Sequence, residues 1–167
     1  MALNRIAQAM GMSDAVWRRH ANPWSVWTRF TCMPLMVLAI WSWGCIGWAA
    51  LVPIILSVVW TYLNPRVFPE PQNFESWASL GVMGERIHIY RPDEVASHHA
   101  APLKWLTWGP LIGILPLIYG LILRDAWMTI LGTILAMLIK MWFVDRMVWI
   151  AREWRADGHD WRELDHG

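Results

Sequence analysis

Apolar residues along this chain collect into four long blocks: Trp27 to Trp43, Ile46 to Leu63, Trp105 to Leu123 and Trp127 to Val144. Each block holds about 17 to 19 residues, at the short end of what an α-helix needs to cross a hydrocarbon core of roughly 30 Å. Trp or Tyr brackets each block near its ends, as side chains anchored at a membrane–water interface do. The pattern predicts an all-α polytopic membrane protein with about four transmembrane helices in two antiparallel hairpins.

The polar punctuation sets the pairing. Gly44 and Gly47 flank Cys45 and Ile46 between the first two blocks, and Arg124-Asp125 joins the last two. Connections this short force antiparallel neighbours. The chain thus divides into an N-terminal segment (1–26), a first hairpin (27–63), a connecting segment (64–104), a second hairpin (105–150) and a tail (151–167). In the connecting segment, NPRVFPEPQNF carries three prolines, which predict an extended path rather than a continuous helix. ESWASLGVMGER predicts a short amphipathic turn of helix with Trp77, Leu80 and Met83 or Val82 on one side. The alternating IHIYR reads as a short strand, although a lone strand has no obvious partner. The fourth block continues as a polar helix through Arg155, and the charged end beyond it predicts a frayed helix end and a mobile terminus.

Composition sharpens the membrane reading. Charged residues make up 16% of the chain, where a soluble domain carries about a quarter. Fifteen tryptophans exceed what a soluble core needs and suit a half-apolar, half-wet interface. The formal net charge of +1 gives no electrostatic footprint for nucleic acid. The basic residues are unevenly placed. Arg5, Arg18, Arg19, Arg29, Arg66, Arg86, Arg91, Lys104, Arg146, Arg152, Arg155 and Arg162 fall on the side of the termini and connecting segment, and only Arg124 falls at the tight turns. The positive-inside rule therefore predicts both termini on the cytoplasmic side of a bacterial inner membrane. The first 24 residues lack a continuous apolar run, so the first membrane helix is expected to direct insertion.

Candidate chemistry is sparse. Gly109, Gly113, Gly120 and Gly132 lie at helical spacings that let helix backbones approach, which predicts bundle packing. Lys140 sits near the cytoplasmic end of the fourth block, in line with Gly132 and Ala136. A cation there must snorkel, or pair with Asp145, Glu85 or a bound anion. Arg29, Asn64, Arg66, Glu85, Arg86, Lys140, Asp145 and Arg146 share that level and form the expected polar cluster, with His20, Asn22, His98 and His99 gathered at the same level. No histidine falls inside an apolar block, which argues against a haem held within the membrane. His98 and His99 could join His20 at a surface metal, but adjacent loop histidines are more often solvated. No metal or other cofactor is expected. Cys32 and Cys45 would lie about 20 Å apart on one helix, too far for a disulfide.

Four phrases, HANPWSVWTR (His20 to Arg29), LNPRVFPEP (Leu63 to Pro71), WASLGVMGER (Trp77 to Arg86) and KMWFVDRMVW (Lys140 to Trp149), together resemble a family of small prokaryotic membrane proteins filed as a domain of unknown function. The resemblance runs from His20 to about Trp149. It implies a membrane location and assigns no activity, cofactor or site residue. The function expected from the residues is a structural or accessory role in the bilayer, as a subunit of a larger membrane complex or a homo-oligomer. The alternative is a small transporter or membrane enzyme that uses the cytoplasmic-side polar cluster.

Overall fold

The structure is a computed structural model and describes residues 11–165; Arg5, counted above, lies outside them. The described chain is mostly helical, with no strand among the described residues. Helices α1 (Asp14–His20) and α2 (Pro23–Arg29) meet at Asn22. The Asn22 side chain accepts from the Trp24 N–H at 2.9 Å, and Pro23 occupies the first turn, where its missing donor costs nothing. Next come α3 (Cys32–Trp41) and the short α4 (Trp43–Ile46). At Gly47 the backbone takes a φ of +54°, a conformation disfavoured for residues with a Cβ. The chain turns there and runs on through α5 (Leu51–Val67), which packs along α3.

After the connecting segment, α6 (Trp77–Tyr90) begins at Ser76, whose hydroxyl accepts from the Ser79 N–H at 3.0 Å. Helices α7 (Ala100–Trp108) and α8 (Leu111–Leu123) are offset at Gly109-Pro110. Arg124 takes a left-handed φ of +57°, and Asp125 then caps α9 (Ala126–Ala156), accepting from the Met128 N–H at 3.0 Å. Helices α8 and α9 touch through glycine. A Cβ on Gly113 would overlap the Ala136 backbone, one on Gly132 the Leu117 backbone, and one on Gly120 the Thr129 backbone. On Gly109 it would come within 2.9 Å of Ile139.

Three helical stretches are long and apolar enough to cross a membrane: Pro23–Val67, Ser97–Leu123 and Ala126–Ala156. The first holds 45 residues, which would extend about 67 Å as one straight helix. The reversal at Gly47 instead lays α5 against α3.

Burial is concentrated at one end of the molecule. Leu80, Met83 and Ile87 of α6, spaced i, i+3 and i+7, pack with Met147, Val148 and Trp154 of α9, with Trp17 of α1 and with Leu164. Gly84 and Gly81 let α6 settle onto the Met147 carbonyl and the Val144 side chain. The remaining length of the apolar helices stays open, with Leu38, Val52, Leu56, Ile112, Leu115 and Ile122 all exposed.

Three local expectations are corrected. The IHIYR segment is not a strand: α6 runs through it to Tyr90, because Ile87 completes the helical stripe begun by Leu80 and Met83. The prolines of the connecting segment do not all stay outside helices. Pro65 lies within α5, and only Pro69 and Pro71 follow in irregular chain. The tail is not loose. It folds back as a turn at Trp161–Leu164, closed by reciprocal hydrogen bonds between Asp160 and Glu163, with Leu164 fully buried. Trp161 stacks on Trp154 at 5.7 Å.

Candidate functional site

A cleft of about 400 Å³ opens where α1, α2, α5, α6, α9 and the start of α3 come together. Its walls are largely apolar, from Val26, Phe30, Met33, Val82, Met137 and Val144. Besides Thr61, a histidine and three charged residues line it: His20 from α1, Arg29 from α2, Glu85 from α6 and Lys140 from α9.

A hydrogen-bond relay behind the cleft positions His20. The Ser25 hydroxyl lies 2.9 Å from His20 Nδ1 and donates to Asn64, 3.4 Å from its Oδ1. The same hydroxyl lies 3.3 Å from the Asn64 carbonyl oxygen, so Ser25 bridges the imidazole and Asn64. Asn64 Nδ2 in turn donates to Thr28 Oγ1 at 2.7 Å, and Thr28 donates to the Trp24 carbonyl at 2.6 Å. Ser25 and Asn64 are fully buried, so the relay ties α1, α2 and α5 together away from solvent. Burial first, and then the nearby Arg29 cation, push the His20 pKa from 6.5 to about 3. The ring is neutral at physiological pH.

Pro65 explains part of the placement of Arg29. A proline has no N–H for the carbonyl four residues back, here Thr61. The Thr61 carbonyl lies 3.5 Å from Arg29 Nη1. Across the cleft, Lys140 Nζ lies 3.7 Å from Glu85 Oε1 and 4.5 Å from the centre of the Phe143 ring. Burial works to raise the Glu85 pKa, but the Lys140 and Arg29 cations outweigh it and hold the carboxylate below its ordinary range. The cleft therefore carries two cations against one carboxylate, between greasy walls.

The expected polar cluster is only partly assembled. Arg29, Glu85 and Lys140 line the cleft and Asn64 stands behind it. Of the partners considered for Lys140, Glu85 is the one in reach, while Asp145 accepts from Trp77 Nε1 at 3.0 Å. Arg66 lies on an outer face with its guanidinium 3.9 Å from the Tyr62 ring centre. The Nε of Arg146 is buried without a hydrogen-bond partner among the described residues. Arg86 belongs to a second, separate centre. It is 1% exposed, pairs with Asp14 and Asp165, and donates to the Leu164 carbonyl at 2.7 Å. His20, expected at this level, enters the cleft, whereas Ser25, which follows the Asn22-Pro23 helix start, has no place in the expected cluster. One set of possible metal ligands occurs among the described residues: His98, His99 and Glu153. None of the three lines the cleft.

The chain belongs to DUF6653, a family of unknown function, whose family model matches residues 2–160. No curated protein and no solved structure matches it.

Proposed function

Starting from membership of a family with no assigned activity, we propose that this is a small multi-pass membrane protein that binds the anionic headgroup of an amphiphile at its interfacial cleft. Its role is accessory rather than catalytic. The topology is four crossings in two hairpins, α3 with α5 and α7–α8 with α9, in a bacterial cytoplasmic membrane with both termini inside.

The observation that carries the binding role is the cleft itself, in which Arg29 and Lys140 face one carboxylate between apolar walls. Headgroup charge meets the two cations, and the acyl chain continues along Phe30, Met33 and Met137. The position agrees with an interface, since the cleft lies near the start of α3, the end of α5 and the middle of α9. The tryptophans support the depth. Trp43, Trp48 and Trp127 are exposed beside the turns, and Trp24, Trp105, Trp142 and Trp149 are exposed at the other end. Along α9, Trp127 precedes Trp142 and Trp149 by about 22 and 33 Å, a span close to the hydrocarbon thickness of roughly 30 Å. Arg124 joins the two turns, donating to the Trp41 carbonyl with its guanidinium 5.6 Å from the Trp41 ring centre.

Two measurements test this. Protein in nanodiscs of mixed phosphatidylglycerol and phosphatidylcholine, released into detergent for native mass spectrometry, is expected to retain the anionic lipid. Arg29→Gln and Lys140→Met should each reduce that retention severalfold. Equal retention of both lipids by the wild type, or no change in either variant, overturns the binding role. For topology, Cys45 is exposed at the first turn. In a Cys32→Ser background it should react with a membrane-impermeant maleimide from the outside of spheroplasts, and reaction only after lysis overturns the orientation.

A further inference from the structure

The structure places His98 and His99, in the turn Ser97–His99 that leads into α7, against Glu153 near the far end of α9. We propose that these three side chains form a binding site for a divalent transition-metal ion, with zinc the best fit, independent of the cleft.

The geometry is that of converging ligands. His98 Nε2 lies 3.3 Å from Glu153 Oε1, and His99 Nε2 lies 2.9 Å from Glu153 Oε2. One ligand atom from each of the three residues falls within 4.8 Å of the others. Zinc bonds of about 2.0–2.1 Å in a tetrahedron separate neighbouring ligand atoms by about 3.3 Å. Modest rotation of one ring meets that spacing, and His98 is free to turn because its side chain is 62% exposed. His99 is the fixed ligand, 1% exposed, with its ring 4.2 Å from that of His98.

The donor set favours this class of ion. Two neutral imidazoles and one carboxylate suit zinc and its borderline neighbours better than calcium or magnesium, which take oxygen ligands. Three protein ligands leave a coordination position for water or a further donor. A bound ion would clip the start of α7 to the end of α9. The sequence grouped His98 and His99 with His20; the structure puts His20 in the cleft and supplies Glu153 instead, from a residue more than fifty positions away.

Tag-free full-length protein in detergent, stripped with chelator and titrated with zinc against a chromophoric competitor, tests the site. One equivalent should bind at micromolar or lower Kd. Affinity should fall at least tenfold in His98→Ala and in Glu153→Gln, and stay unchanged in His159→Ala, which removes a histidine paired with Glu163 and stacked on Trp154. Cobalt should give a visible d–d spectrum that His98→Ala abolishes. His98→Ala removes an exposed ring, so metal-free thermal unfolding should match the wild type and separate lost ligation from lost folding. No stoichiometric zinc, or equal affinity in wild type, His98→Ala and Glu153→Gln, overturns the proposal.

Discussion

Lowering the pH from 7.5 to 5 should weaken the folded protein through His20. In the folded chain this ring has a pKa of about 3 instead of 6.5. Above pH 6.5 the ring is neutral in both folded and unfolded chains, and its contribution is fully present. As the pH falls below 6.5 the unfolded chain takes up a proton that the folded chain refuses, so stability drains away until the pH nears 3. The slope approaches about 1.4 kcal/mol per pH unit, which makes the loss at pH 5 about 2 kcal/mol. His20 is 7% exposed, so solvent screening takes little from that figure. Arg29, Glu85 and Lys140 face the ring from three helices. His88, whose pKa burial also lowers, adds a loss of the same sign, so the comparison needs a variant. Unfolding in detergent followed by tryptophan fluorescence should show a decline from pH 7.5 to 5 in wild type, and a shallower one by about 2 kcal/mol in His20→Gln. Equal pH dependence in the two proteins would refute the account of His20 as a buried neutral base.

Two further substitutions probe the packed end. Gly84→Ala places a methyl group into the Met147 carbonyl, and since backbone cannot swing aside as a side chain does, it should cost about 2 to 3 kcal/mol in the same unfolding assay; a neutral result would mean that α6 does not rest on α9 as described. Arg86→Gln removes the cation between Asp14 and Asp165 and should cost about 3 kcal/mol or more. It should also expose the tail to limited proteolysis near Trp161, and unchanged resistance would show that the tail is held by Leu164 and Trp161 without Arg86.

Much of the architecture is legible because it is written locally. The Trp-edged apolar blocks, the Arg124-Asp125 turn and the small residues facing across α8 and α9 can each be read from a few neighbouring positions. The failures share a cause. IHIYR offers five residues, too few to separate a period of two from one of 3.6. The deciding signal lies upstream at Leu80 and Met83, outside the alternating window. The tail looked loose because its sequence is charged, but its anchor, Arg86, sits 78 residues before the Leu164 carbonyl it binds. At the cleft, Lys140 could be singled out from its cost in an apolar block, whereas choosing Glu85 over Asp145 required knowing which face of α6 meets α9. The level of His20 is legible, but its buried role is not, because that depends on a relay through Ser25 and Asn64, with Asn64 39 positions beyond Ser25.

Helix α9 runs 31 residues without a break, about 46 Å at the usual rise. On the proposed topology one half is immersed and the other is locked to α6, α1 and the tail. Such a rod acts as a lever: a tilt of 10° about its middle carries each end through about 4 Å. Lys140 and Glu85 both ride on the locked α9–α6 pair, so a thinner or thicker lipid host, which changes helix tilt, would move the two together and displace the packed end of the rod as one body.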